Sequence, residues 1–156
     1  KQGITIRFKE EDVRAMGRTA HGVRGITLEA GDEVIGMETI TPDSTTAILT
    51  VTEGGYGKRT PVNEYRVQGR GGKGIISVKT TERNGAAVGF LQVRDEDEIM
   101  LMAAQGKVLR CKVDDIREIG RNTQGVRLLD MDGDEDRVVA VVRLVEREEG
   151  VPEEGE

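Results

Sequence analysis

Gln2-Gly3-Ile4-Thr5-Ile6-Arg7, Gly54-Gly55-Tyr56-Gly57-Lys58-Arg59 and Gln105-Gly106-Lys107-Val108-Leu109-Arg110 are three copies of one stretch, set apart by 52 and then 51 residues. The same offsets carry Gly17 to Gly69 to Gly120, Gly22 to Gly74 to Gly125, and the apolar positions Val13, Tyr65 and Ile116. Several independent anchors in one register make an internal repeat, and a repeat of this length is one supersecondary unit used three times. The repeats run over about 1–53, 54–104 and 105–145.

Within a repeat the sequence reads as strands. In the last one the strand-like runs are Lys107–Val113, Gly125–Met131 and Arg137–Val145, with Glu98–Ala104 just ahead of them. Asn84-Gly85, Gly31-Asp32 and Asp132-Gly133 supply the turn residues that hairpins need where φ is positive. No long segment has a 3.6-residue apolar period. Glu10–Met16 and Asp114–Ile119 fit single helical turns, strand or loop equally well. Four short strands per repeat predict an all-β fold of propeller-type blades, each of four antiparallel strands. Three blades make an open arc or a half-ring that pairs with a second copy, because propellers close with about four to eight. Residues 146–156, rich in Glu and holding Pro152, read as an acidic disordered tail beyond a 1–145 partial ring.

Composition agrees. Hydrophobic residues make up 36% and aromatic residues 3%, with 21 glycines and no tryptophan, so the core is built from Val, Ile, Leu and Met. Cys111 is the single cysteine, which rules out an intrachain disulfide and fits a cytoplasmic protein. No signal peptide and no run long enough to span a bilayer is present. The chain starts at Lys1 inside a strand-like pattern, as an excised piece of a longer protein would.

The net charge of −6 argues against a nucleic-acid partner only as an average. Residues 1–25, 54–79 and 105–128 carry +3, +5 and +3, whereas 26–53, 80–104 and 129–156 carry −6, −3 and −8. Each blade therefore has a basic and an acidic sector. Three sets of equivalent positions are arginine in every copy: Arg7, Arg59 and Arg110; Arg14, Arg66 and Arg117; Arg18, Arg70 and Arg121. Arginine's planar fork meets phosphate oxygens two at a time, which lysine cannot do. The competing reading is an ion pair within the blade: Glu10 and Glu11 lie near Arg14, and Asp114 and Asp115 near Arg117. The third set lies in glycine-rich loops. The middle loop, Gly69-Arg70-Gly71-Gly72-Lys73-Gly74, lets backbone N–H groups approach a phosphate, with Arg70 and Lys73 adding charge. A blade-connecting loop that needs positive φ would look the same.

Enzyme readings find little. His21 is the only histidine, Tyr56 and Tyr65 sit within blades, and the Gly-x-x-x-x-Gly-Lys-Ser/Thr spacing of a P-loop is missing. Asp130, Asp132, Asp134 and Asp136 imitate a calcium loop, but Gly133 is misplaced and no Glu closes it. These residues predict no catalytic group, no metal and no cofactor.

The run Gln68-Gly69-Arg70-Gly71-Gly72-Lys73-Gly74 resembles the glycine-arginine box of the gyrase A family. Arg14-Ala15-Met16-Gly17, Gly22-Val23-Arg24-Gly25-Ile26, Gly55-Tyr56-Gly57-Lys58-Arg59-Thr60, Thr81-Glu82-Arg83-Asn84-Gly85 and Gly120-Arg121-Asn122-Thr123-Gln124-Gly125-Val126 resemble the C-terminal domain of that family. The resemblance implies a β-pinwheel that binds and wraps duplex DNA on its rim. It makes this chain the last three blades plus the tail. It implies gyrase B and the rest of gyrase A as partners, and ATP and Mg2+ acting in other parts of a type II topoisomerase. The box here has Gly69 where the family usually has a basic residue, and it lies in a later blade than the one that matters for wrapping. Arg70 and Lys73 thus carry over as DNA contacts only. The corresponding domain of topoisomerase IV, or a propeller that binds protein instead of DNA, are the alternatives.

Overall fold

The computed structural model describes residues 1–41, 45–131, 133 and 135–144. The Asp132-Gly133 turn, two of the four aspartates of the calcium-like run, Val145 and the acidic tail lie wholly or partly outside them. Nine strands are present among the described residues: β1 (Ile4–Thr5), β2 (Ala47–Thr52), β3 (Tyr56–Pro61), β4 (Ile75–Ile76), β5 (Ala87–Val93), β6 (Glu98–Ala103), β7 (Val108–Lys112), β8 (Val126–Arg127) and β9 (Val138–Leu144). Every pairing between them is antiparallel. The all-β expectation holds, with strand ends within a residue or two except at the short β8, and Glu10–Asp12 and Val62–Glu64 form single 3-10 turns.

The sheets show how the repeat is used. One has four strands in the order β5-β2-β3-β8, one has three in the order β7-β6-β9, and β1 pairs with β4 alone. The four-stranded blade draws on all three repeats: β2 ends the first, β3 and β5 belong to the second, and β8 belongs to the third. A two-residue strand is handed from each repeat to the one before it. The registers show the equivalence, since Ile4 faces Ile76 and Thr5 faces Ile75, while Tyr56 faces Arg127 and Gly57 faces Val126. Parallel bridges Arg7–Val67 and Arg59–Glu118 recur at the same offsets.

One glycine position makes this handover possible. Gly55 has φ +77°, and a Cβ there would sit well inside the contact radius of Leu129 O. Gly55 O in turn accepts from Leu128 N (2.8 Å) and Leu129 N (3.1 Å). Gly3 stands in the same relation to Val78.

The main core lies between the two larger blades. Ala47, Leu49 and Val51 on one face of β2 pack with Ile99, Leu101 and Ala103 of β6, and Val93, Val113, Ile116, Leu129 and Val138 close the cluster. The opposite face of β2 turns Ile48 toward Val62 and Tyr65, with Ile40, Ile75 and Phe90 around them. Burial of aliphatic side chains on this scale is what holds the blades together, at roughly 25 cal/mol per Å2 of apolar surface.

Candidate nucleic-acid interface

The three arginine rows have different surroundings. Arg7, two residues beyond β1, and Arg59, within β3, point back into the chain. Arg7 Nη1 donates to Val62 O (3.1 Å) and Tyr65 O (3.2 Å). Arg59 Nε donates to Ile116 O (2.6 Å), and its Nη1 pairs with Asp95. The Arg59 side chain is only 11% exposed. Arg110, the third member, pairs with Glu98 instead and is 60% exposed.

The carbonyls that Arg7 and Arg59 hold belong to Tyr65 and Ile116, the residues just before Arg66 and Arg117. Arg7 and Arg59 therefore fix the backbone from which Arg66 and Arg117 project. Arg14, Arg66 and Arg117 are all exposed. None of their side chains has a hydrogen bond or ion pair among the described residues, so the nearby acidic residues do not neutralise them by contact. The 3-10 turns Glu10–Asp12 and Val62–Glu64 and the equivalent turn at Asp114–Asp115 come just before them in the chain.

Two members of the third row, Arg70 and Arg121, brace the glycine loops. Arg70 Nη1 donates to Arg24 O (2.6 Å) and Nε to Asp12 O (2.9 Å). Arg121 Nη1 donates to Ile76 O (2.9 Å), the residue equivalent to Arg24, while its buried Nε has no partner among the described residues. Arg18 is exposed, and its side chain makes no hydrogen bond among the described residues. The backbone of the middle loop is also engaged: Gly71 N donates to Gly25 O (2.8 Å), and Gly72 O accepts from Thr27 N (2.9 Å). Its glycines serve the close approach of neighbouring backbone. Lys73 alone in that loop is exposed and charged.

Lys58 is a residue that sequence reasoning passed over. It is fully buried, and its Nζ donates to Gly120 O (2.6 Å), to Arg121 O and to Thr123 Oγ1 (2.9 Å). It pins the third glycine loop from beneath. Burial lowers its pKa from 10.5 to about 8, against the pull of Glu64 and with a contribution from Arg121. A signal was available: the equivalent positions are the apolar Ile6 and Leu109, and a lysine in an apolar slot needs a buried acceptor set. His21 is exposed and Cys111 half-buried, and no group of metal-ligating side chains occurs among the described residues. No helix among them is long and apolar enough to cross a membrane.

Antiparallel blades in sequence, interlocked by short strands and carrying basic loops at one repeating position, define a run of β-propeller blades. The chain belongs to the DNA gyrase C-terminal domain, beta-propeller family, whose model matches residues 1–41, 46–94 and 97–144. It is 51% identical over 144 residues to the A subunit of DNA gyrase from Salmonella typhimurium, covering 92% of this chain and 16% of that protein. Against the A subunit of DNA gyrase from Staphylococcus aureus it is 47% identical over 151 residues, covering 97% and 17%. A solved DNA gyrase A C-terminal domain superimposes with a TM-score of 0.80 at 30% identity, over 93% of this chain and 48% of that one. The C-terminal domain of DNA topoisomerase IV superimposes with a TM-score of 0.84 at 28% identity, over 92% and 44%. The chain thus spans about a sixth of its gyrase relatives and about half of the solved domains.

Proposed function

We propose that this chain binds duplex DNA without reading its sequence and bends it along the blades, as part of a gyrase that introduces negative supercoils. The observation that carries the reading is the paired use of arginine: Arg7 and Arg59 grip the carbonyls that precede Arg66 and Arg117. The second row, with Arg14, is left exposed and without carboxylate contact among the described residues. Exposed, unpaired arginines, two of them on braced backbone, are suited to phosphates. On this reading Arg14, Arg66, Arg117 and Lys73 touch DNA, with Arg18 and Arg110 as further exposed cations. Arg7, Arg59, Arg70 and Arg121 hold the loops that present them.

Such contacts release counterions and position the duplex. Bending 20–30 base pairs by 40–90° costs about 1–6 kcal/mol, which several phosphate contacts offset. The acidic tail competes for the same cations. Gyrase B, with the remainder of gyrase A, supplies ATP-driven strand passage, and the site of action is the bacterial cytoplasm. Two half-rings pairing to close one ring is a further part of the reading.

The test is energy transfer between the labelled ends of a short duplex, titrated with the chain at low and then moderate salt. Salt-sensitive binding with the ends drawn together is expected. Binding without approach of the ends removes the bending claim, and no binding at low salt favours a protein-binding propeller.

A further inference from the structure

Tyr56 opens β3 and is 3% exposed, yet two arginines converge on it from different repeats. Arg83 Nε and Arg127 Nη2 each donate to its hydroxyl at 2.9 Å. Their Cζ atoms lie 5.1 and 5.3 Å from the ring centroid. Two like charges sharing one phenol repel each other, and a single carboxylate, Asp130, pairs with Arg127 at 2.6 Å. Arg83 has no acidic contact among the described residues.

Both arginines are held by rigid backbone. Arg127 sits in β8, directly opposite Tyr56. Arg83 rides on a turn fixed by the fully buried Asn84, whose Oδ1 accepts from Thr81 N (2.7 Å) and whose Nδ2 donates to Lys79 O (3.0 Å) and Gln124 O (3.1 Å). The hydrogen bonds from Arg127 and then Arg83 hold the Tyr56 phenol below its ordinary pKa, in keeping with a positive local field.

The first repeat makes the same strand handover without this arrangement. At the equivalent place Ile4 faces Ile76, and the strand handover is the same. That pair carries no charge, and both isoleucines are exposed where Tyr56 is buried. In the second joint a tyrosine and two guanidiniums replace it, and the two guanidiniums repel each other. An anion that bridges them removes that repulsion.

We infer that Arg83 and Arg127, aligned by Tyr56, form a clamp for one backbone phosphate of duplex DNA at the joint between the second and third repeats. The clamp rests on the DNA-binding reading above and extends it to residues outside the repeated arginine rows. Arg83 keeps both Nη groups for the phosphate and Arg127 keeps its Nε, while Asp130 competes for Arg127. Tyr56 is a positioning residue.

The test is anisotropy of a labelled duplex titrated with the whole chain over a series of salt concentrations, with thermal unfolding as the check on folding. Arg83→Gln and Arg127→Gln should each weaken binding about 3- to 10-fold at moderate salt and flatten the log K against log salt slope by about 0.9. Asp130→Asn should tighten binding by a similar factor. Tyr56→Phe should weaken binding with the slope unchanged. Arg83→Lys, which keeps the charge, should keep the slope. Should Arg127→Gln unfold, Arg83→Gln and Asp130→Asn decide the matter. Folded variants with wild-type affinity and slope, alongside a weakened Arg66→Gln control, overturn the clamp and leave the DNA reading standing. A wild-type chain that does not bind duplex at low salt overturns both.

Discussion

Strands β2 and β6 occupy the same position in successive blades, yet one is buried along its whole length and the other on alternate residues. β2 has a blade on each side. Its odd residues meet β6, and Ile48 meets the cluster around Tyr65. β6 buries Ile99, Leu101 and Ala103 against β2, and its other face, with Met100, stays only partly covered. Their sequences record this: Ala-Ile-Leu-Thr-Val-Thr in β2 against Glu-Ile-Met-Leu-Met-Ala in β6. Burial in this fold is set by a blade's neighbours more than by the repeat position itself.

The sharpest break of that comparison is at equivalent residues Leu49 and Met100. Leu49→Ala leaves a cavity in the shared core and should cost about 2–5 kcal/mol. Met100→Ala, on the open face, should cost less than about 1 kcal/mol, with urea denaturation as the measure. Equal losses would mean that the two blades are not unequal in the way their burial suggests.

A second pair sharpens the role of the donated strand. Gly55 and Gly106 are equivalent, with φ +77° and +92°. A Cβ at Gly55 collides with Leu129 O, whereas one at Gly106 meets nothing among the described residues. Gly106→Ala should cost about 1–2 kcal/mol for the left-handed backbone alone. Gly55→Ala should lose about 1–3 kcal/mol more, because β8 must shift. Thermal unfolding of the two variants checks this.

The smallest effect concerns Lys58, which stands where Ile6 and Leu109 stand in the other repeats. Its folded pKa, about 8, lies below the ordinary 10.5. Between those values the unfolded chain holds a proton that the folded chain lacks, so this group's contribution to stability is present above 10.5 and is lost as pH falls through 8. The stability difference between wild type and Lys58→Met should therefore grow, on the order of 1 kcal/mol, from about pH 7.5 to about pH 10. Denaturation midpoints at the two pH values measure it; a constant difference would contradict a neutral Lys58 at high pH.

Much of this architecture is legible in the amino acids. The recurring Gly-x-x-x-Arg stretch, the spacing of its copies and the short β-branched runs are enough for blades, since each depends on local geometry that a few residues dictate. The strand handover is not legible. Val126–Arg127 is two residues long and carries no periodicity, and its partner Tyr56 lies in a different repeat. The arginine rows were legible as rows and not as roles. A guanidinium that caps carbonyls and one that faces solvent require the same residue, so Arg59 and Arg117 look alike until the chain is folded. Lys58 is legible as a departure, a lysine where Ile6 and Leu109 stand, but its acceptors in the third repeat are not, and no spacing links Tyr56 to Arg83 and Arg127.

The two-residue strand lent by each repeat to the one before has a consequence for synthesis. A blade cannot be finished by its own stretch of chain. As the polypeptide leaves the ribosome, the sheet around β2 waits, one edge open, until Arg127 has emerged, and only then does the joint at Tyr56 close. Growth is a relay in which each new segment completes its predecessor before it can be completed itself. For the same reason, gain or loss of a whole repeat keeps every joint matched when it takes 51 or 52 residues from any starting point, because the reading frame of the structure lies in the interval and not in a boundary.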